Sequence, residues 1–242
     1  MTKYLLIVLT VLTLVGCNST EKKAETTNEI QSKVQVVGAM KNVMWKGELA
    51  GTMDLDTIKN KNGLYGLGPL EYLTGEILIL DGTSYISTVL TDSTMTVEET
   101  YRVKAPFLVY TNQMDWDIET LPAGIMTIED LEEFIDGKTR DFKRPFVFKL
   151  QGQIEKADIH IQNLPIGTDV SSPEEAHQGQ VNYSLENTEV DIIGFFSTEH
   201  KGVFTHHDSN VHLHLITSDR KKMGHLDKVI FGNGTVELYL PS

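Results

Sequence analysis

The chain has 242 residues, of which 40% are hydrophobic and 23% are charged, and its formal net charge is −13. This length and composition are typical of a globular protein with one large domain or two small ones. The negative charge, without any basic run, argues against a nucleic-acid partner, because contacts to phosphate need clustered Lys and Arg.

The N-terminus has the pattern of an export signal followed by a tether. Lys3 precedes an apolar run, Leu5–Val15, which is too short to span a bilayer. The run ends in Leu-Val-Gly-Cys, which resembles the lipobox of bacterial lipoproteins. We therefore expect residues 1–16 to be a lipoprotein signal peptide and Cys17, the only cysteine, to carry the lipid. The polar residues 17–33 predict a flexible tether.

These features predict an exported protein that is held at the membrane of the bacterial cell envelope through a lipid on Cys17. The alternative is an uncleaved N-terminal anchor. An exported chain with one cysteine has no internal disulfide, so lipidation gives this thiol a function.

Residues 34–150 predict an N-terminal sheet subdomain with short helices. Asp81 and Gly82, between two β-rich runs over residues 76–86, indicate a β-hairpin. A helix is predicted from Thr127 to Ile135, because Thr127 can cap it and Asp130 follows three residues later. The other predicted elements are strands at Gln35–Val37 and Phe107–Thr111, helices at Met40–Leu49 and Leu55–Ile58, and helix ends at Gly51 and Gly137.

Residues 151–242 predict a C-terminal sheet subdomain that carries a histidine cluster. Many short strands with few helices favour an α+β fold with mixed or antiparallel sheets. The strands predicted around and beyond the boundary at residue 150 are Phe146–Leu150, Ile154–Ile161, Val181–Leu185, Val190–Phe196, Val211–Ile216 and Leu226–Phe231.

Three histidines in this half are spaced to meet on one face of a sheet. His212 and His214 alternate along a predicted strand, so both point to the same face. A symmetric hairpin centred between Asp219 and Arg220 places His225 opposite His214, where facing Cβ atoms are about 4.5–5.5 Å apart. The three imidazoles are therefore predicted to converge on one point.

Three protein ligands leave a coordination position open, which is the catalytic arrangement of zinc. Imidazole also suits copper, iron and nickel, so zinc is a first choice among several metals. The alternative is that His212 and His214 are an exposed pair without a metal. His206 and His207 lie in a predicted loop. We expect them to be solvated or to contact the metal ligands rather than to bind the metal themselves.

These segments resemble the α-acetolactate decarboxylase family. His212-Leu-His214 and Gly224-His225-Leu-Asp227 are similar to its metal motif, including the spacing between the second and third histidines. The resemblance runs from about Val34 to Leu240. Other similar segments are the glycine-rich stretch at Gly66 and Gly68, the Gly-Glu hairpin from Gly75 to Tyr85, the Pro-Phe strand at Ala105–Phe107, and Gly194-Phe195.

The resemblance implies two mixed β-sheet subdomains with a metal site in the cleft between them. It implies zinc bound by the three histidines, a catalytic Glu76, and decarboxylation of 2-acetolactate to acetoin and CO2. The substrate, a small 2-hydroxy-3-keto acid, would chelate the zinc through its hydroxyl and ketone oxygens, and the metal would act as a Lewis acid. The resemblance also implies a dimer.

The sequence departs from the family pattern at three places. His160 lies where the resemblance implies a catalytic arginine, and an imidazole does not reproduce the fixed charge and fork of a guanidinium. Pro69 replaces a threonine, and the glutamate of a longer C-terminal tail has no counterpart before Ser242. The alternative function is therefore a metal- or ligand-binding lipoprotein with altered chemistry on the same scaffold.

Overall fold

The computed structural model describes residues 33–232 and 234–242. The expected signal peptide over residues 1–16, the lipidation site Cys17 and almost all of the expected tether lie outside the described residues. Within the described ranges, no helix is long and apolar enough to cross a bilayer.

The first sheet contains six strands, all paired antiparallel, in the order β1-β8-β3-β4-β5-β6. Two short strands, β2 and β7, form a separate pair beside it. The strands of this half are β1 Gln35–Val37, β2 Met53–Asp54, β3 Leu64–Pro69, β4 Glu76–Leu80, β5 Thr83–Thr91, β6 Thr94–Glu99, β7 Lys104–Ala105 and β8 Leu108–Asn112.

The second sheet also has six strands, in the order β11-β12-β13-β10-β14-β9, and its pairings are antiparallel as well. The two longest strands, β10 and β11, pair with each other as well, so β10 to β13 close on themselves around a hydrophobic core. The strands are β9 Trp116–Thr120, β10 Phe146–Ile161, β11 Val181–Phe196, β12 Val211–Thr217, β13 Met223–Ile230 and β14 Val236–Pro241.

The described helices are short: α1 Met40–Lys46, α2 Ile128–Lys138 and α3 Pro173–Ala176, with 3₁₀ turns at Leu55–Thr57 and Glu71–Leu73. The predicted α+β class is therefore confirmed, with two six-stranded sheets, one two-stranded pair and few helices. The described residues form one compact unit, so the two six-stranded sheets share one globular body.

The boundary expected at residue 150 needs correction. It falls inside β10, which runs without a break through residues 146–161 and pairs with β11 along nearly its whole length. The strands expected at Phe146–Leu150 and Ile154–Ile161 form one continuous strand. Gly152 between them, at φ +149°, remains paired with both Val190 and Val236. The chain passes from the first sheet to the second between Asn112 and Trp116.

Local signals in the sequence set several element ends. Thr127 caps α2 in a capping box with Asp130, as predicted, and Asp81 and Gly82 take the positive φ angles of a tight hairpin turn. Two predicted helix ends were wrong. The first helix ends at Gly47, which adopts the left-handed conformation, rather than at Gly51. The second helix continues past Gly137 to Lys138, because a glycine in negative-φ backbone does not end a helix by itself.

Gly194 lies where three strands pack closely, and we expect any side chain at this position to destabilise the fold. It pairs with Phe148 on one side and Leu213 on the other, and an added Cβ would overlap the Phe148 ring and lie 2.7 Å from Cδ2 of Leu213. Gly194→Ala should therefore lower the free energy of unfolding, measured by urea denaturation, by about 1–3 kcal/mol.

The matched control is Gly137→Ala, because a Cβ on this helical glycine meets no atom within 4 Å. This variant should be more stable than the parent by up to about 1 kcal/mol, since alanine loses less backbone entropy than glycine in a helix. A Gly194→Ala protein as stable as the parent would contradict the packing of these three strands.

Candidate metal centre

The β12–β13 hairpin brings three histidines together in the predicted register. His214 pairs directly with His225 across the two strands. The ring centroids of His212, His214 and His225 are 5.0 to 5.4 Å apart, and one ligand atom from each lies within 4.8 Å of the others. The convergence that alternation and hairpin symmetry predicted is confirmed.

The two faces of β12 have different environments. Val211, Leu213 and Leu215 enter the hydrophobic core of the second sheet. His212 and His214 point to the opposite face, which packs toward the first sheet. There the ring of Phe107, which directly precedes β8 of the first sheet, lies 6.3 Å from that of His212. The histidines therefore lie between the two sheets.

Burial makes these imidazoles suitable metal ligands. His212, His214 and His225 are all buried. Loss of solvation lowers the pKa of His212 and His225 well below the usual value, and it lowers the pKa of His214 to about 3. All three are therefore neutral near pH 7, and a metal binds only the unprotonated nitrogen.

Unpaired nitrogen atoms in the histidine cluster also indicate a metal site. The Nδ1 atoms of His212 and His214 are buried and have no hydrogen-bond partner among the described residues. A buried nitrogen without a partner is costly unless an ion or solvent occupies the position that it faces. Three neutral imidazoles, two of them with free nitrogens, match the ligands that zinc and related transition metals prefer.

Glu76 brings a carboxyl group from the first sheet to the histidines. It begins β4, is 3% exposed, and its Oε2 lies 3.7 Å from Nε2 of His214. Its Oε1 accepts a hydrogen bond of 3.1 Å from the backbone N–H of Gln162. Burial raises the pKa of Glu76 well above its usual value, and the bond from Gln162 only partly opposes this shift.

His160 lies on β10 directly beside the cluster. It pairs with His225, and the two ring centroids are 4.7 Å apart. Its Nδ1 is 2.8 Å from both carboxylate oxygens of Asp227, and its Nε2 is 3.5 Å from the side-chain nitrogen of Gln162. Both ring nitrogens of His160 therefore already have partners in the protein.

The structure adds residues that sequence reasoning missed. Asp227 and Gln162 each lie two positions after a predicted site histidine, so strand alternation was a signal that could have found both. His177 follows α3 and had no such signal. His206 lies 5.2 Å from His225 between ring centroids, whereas His207 is exposed, so only His206 contacts the ligands.

The cavity at the cluster contains no fixed positive charge. Among the described residues that line it, none is Lys or Arg. Met40, Met44, Pro69 and Phe107 make one part of its wall apolar, and the rest is imidazole, carboxyl and amide. The lining residues are Met40, Met44, Pro69, Glu76, Phe107, His160, Gln162, His177, His206, His212 and His225.

Comparison with known proteins identifies the family of this chain. A family model described as alpha-acetolactate decarboxylase matches residues 36–240. The chain is 31% identical over 196 residues to the alpha-acetolactate decarboxylase of Lactococcus lactis subsp. lactis, covering 79% of this chain and 78% of that protein.

Two solved structures share the fold. The alpha-acetolactate decarboxylase of Bacillus subtilis strain 168 superposes with a TM-score of 0.72 at 23% identity, over 86% of this chain and 85% of that one. A Staphylococcus aureus protein of unknown function similar to alpha-acetolactate decarboxylase gives the same score at 18% identity and the same coverage. With the family model matching nearly the whole described chain, this protein belongs to the alpha-acetolactate decarboxylase family.

Proposed function

We propose that the protein decarboxylates 2-acetolactate, or a closely related 2-hydroxy-3-keto acid, to the hydroxy ketone and CO2, with zinc bound by His212, His214 and His225. The observation that carries the proposal is the buried cluster of three neutral imidazoles with the carboxyl group of Glu76 facing it. Family membership supports the same reaction.

A bound divalent metal would supply a Lewis acid for the hydroxyl and ketone oxygens of the substrate. The protein contributes the environment of the carboxylate that leaves. A carboxylate next to Met40, Met44 and Phe107, without a Lys or Arg in the lining, loses hydration that the protein does not replace. Neutral CO2 has little hydration to lose. This difference favours cleavage of the bond between the carboxylate and its carbon.

Glu76 supplies the proton that completes the reaction. Loss of CO2 leaves the electron pair of the broken bond on the substrate carbon, conjugated with the ketone. Because burial raises the pKa of Glu76, this carboxyl group keeps its proton at a higher pH than an exposed glutamate does. Transfer of that proton to the carbon gives acetoin, and solvent then reprotonates Glu76.

His160 acts as a positioning residue in this proposal. Its Nδ1 contacts Asp227 and its Nε2 faces Gln162, so it holds these two side chains beside His225. An imidazole with both nitrogens already engaged does not offer a substrate carboxylate the fixed charge and paired donors of an arginine. This arrangement is the specific observation that favours the alternative function, a metal- or ligand-binding lipoprotein on the same scaffold.

An acetoin assay separates the two functions. The zinc-loaded protein, incubated with racemic 2-acetolactate, is expected to release acetoin faster than the spontaneous reaction. Release at the spontaneous rate by a folded protein with full zinc content would reject the decarboxylase proposal and favour the binding function.

We also propose that the protein is exported and anchored through a lipid on Cys17, on the basis of the apolar run and the Leu-Val-Gly-Cys sequence. Cys17→Ala should block lipid attachment and shift the protein from the membrane fraction to the soluble fraction, or leave it as an uncleaved precursor. Mass spectrometry and fractionation measure both effects. An unchanged mass relative to the parent, apart from the substitution, would contradict the lipid anchor.

A further inference from the structure

The amide of Gln162 is a buried polar group for which the reaction above has no role. The residue is 4% exposed and lines the metal cavity. Its backbone N–H donates to Oε1 of Glu76, which ties the end of β10 to the first sheet. Its side-chain oxygen Oε1 is buried and has no hydrogen-bond partner in the part of the chain that the structure describes.

The neighbours of Gln162 fix which end of its amide is unpaired. The carboxylate of Asp227 only accepts hydrogen bonds, so Nδ1 of His160, which faces it, is the donor of that pair. At the other ring nitrogen, the NH₂ group of Gln162 faces Nε2 of His160 at 3.5 Å. This orientation leaves Oε1 of Gln162, an acceptor, without a donor.

An unpaired buried carbonyl oxygen has lost its hydration without gaining a partner, so a hydrogen-bond donor from a bound ligand would remove a destabilising contribution. The proposed substrate class, 2-hydroxy-3-keto acids, has one donor, since its ketone and ionised carboxylate only accept. We propose that Gln162 is a specificity-determining residue whose Oε1 accepts a hydrogen bond from the hydroxyl group of the substrate. This inference rests on the proposed function.

This contact changes what the site recognises. Because no Lys or Arg lines the cavity in the described chain, the carboxylate of a ligand has no cationic partner there. Recognition depends on the hydroxyl group, which both the metal and Gln162 can contact. The site therefore selects 2-hydroxy acids and 2-hydroxy ketones over analogues in which a methyl group replaces the hydroxyl.

Two stable acids of nearly equal shape test this selection. 2-Hydroxy-2-methylpropanoate and 2,2-dimethylpropanoate differ only by a hydroxyl and a methyl group. Calorimetry on the zinc-loaded protein gives the ratio of their dissociation constants in the parent and in Gln162→Met. Chelation by zinc contributes to the ratio in both proteins, so the change between them isolates Gln162. The preference for the hydroxy acid should fall roughly threefold to tenfold in the variant.

The matched control is Gln180→Met. The side-chain oxygen of Gln180 is also buried and has no partner among residues 33–232 and 234–242, but this residue does not line the cavity. Its substitution should leave the ratio unchanged. Zinc content and thermal melting establish that each variant is folded.

The zinc-free parent provides a measurement that needs no variant. Without chelation, the parent should still prefer the hydroxy acid. Equal binding of the two acids to the zinc-free parent would overturn the proposal.

The role of Gln162 and the decarboxylase function fail in different ways. An unchanged ratio in Gln162→Met, in a protein whose parent releases acetoin, overturns the role of Gln162 and leaves the decarboxylase function in place. A lowered ratio in a protein whose parent releases no acetoin supports hydroxyl recognition by Gln162 and rejects the decarboxylase function.

Discussion

His214→Ala is expected to remove both zinc binding and decarboxylation. His214 is at the centre of the site: it pairs with His225, lies 5.0 Å from His212 between ring centroids, and approaches Glu76. Its loss leaves two ligands where a catalytic zinc needs three. Zinc content should fall from about one per chain to near zero, and acetoin release should fall to the spontaneous rate.

Elemental analysis after dialysis measures the zinc, and the acetoin assay measures the rate. The control is His207→Ala, which removes an exposed histidine of the neighbouring loop and should change neither quantity. Circular dichroism confirms that the variant is folded, because truncating a buried imidazole also leaves a cavity. Full zinc content in a folded His214→Ala protein would show that the metal binds elsewhere.

Glu76→Gln is expected to lower turnover by about 10²–10⁴ while zinc content stays unchanged. The substituted amide has nearly the same shape and keeps an oxygen for the backbone N–H of Gln162, so the contact between the sheets survives. It removes the ionisable proton that the reaction needs. The loss should appear in kcat, because the group acts on the carbon only after CO2 has left.

A control substitution on the same sheet is Glu99→Gln, on the exposed edge strand β6. It should behave as the parent in stability, zinc content and turnover. A Glu76→Gln protein with parental kcat would mean that another group protonates the product. A Glu76→Gln protein without zinc would instead identify Glu76 as a metal ligand.

The core of the site could be predicted because its signals are local. His212 and His214 alternate along one strand, and the polar turn before His225 fixes the hairpin register within a few residues. The same kind of local signal predicted the Asp81-Gly82 turn and the capping box of Thr127. In each case the deciding contacts join residues close together in sequence.

The remaining features depend on contacts between distant residues. The length of β10 follows from its pairing with β11, β13 and β14, which no pattern within residues 146–161 reveals. The edge strands β9 and β6 are half exposed and carry few apolar residues, so their sequences gave no clear strand pattern. The contact of Gln162 with Glu76 joins two sheets across 86 positions of the sequence.

A zinc titration of the metal-free protein tests the central claim most directly. Chelator-treated protein is mixed with increasing zinc, and the rate of acetoin release from 2-acetolactate is measured at each step. If the cluster of His212, His214 and His225 performs the chemistry, the rate should rise from the spontaneous level in proportion to bound zinc and level off at about one zinc per chain. A chelator-treated protein with full activity, or one that stays at the spontaneous rate when saturated with zinc, would contradict the account.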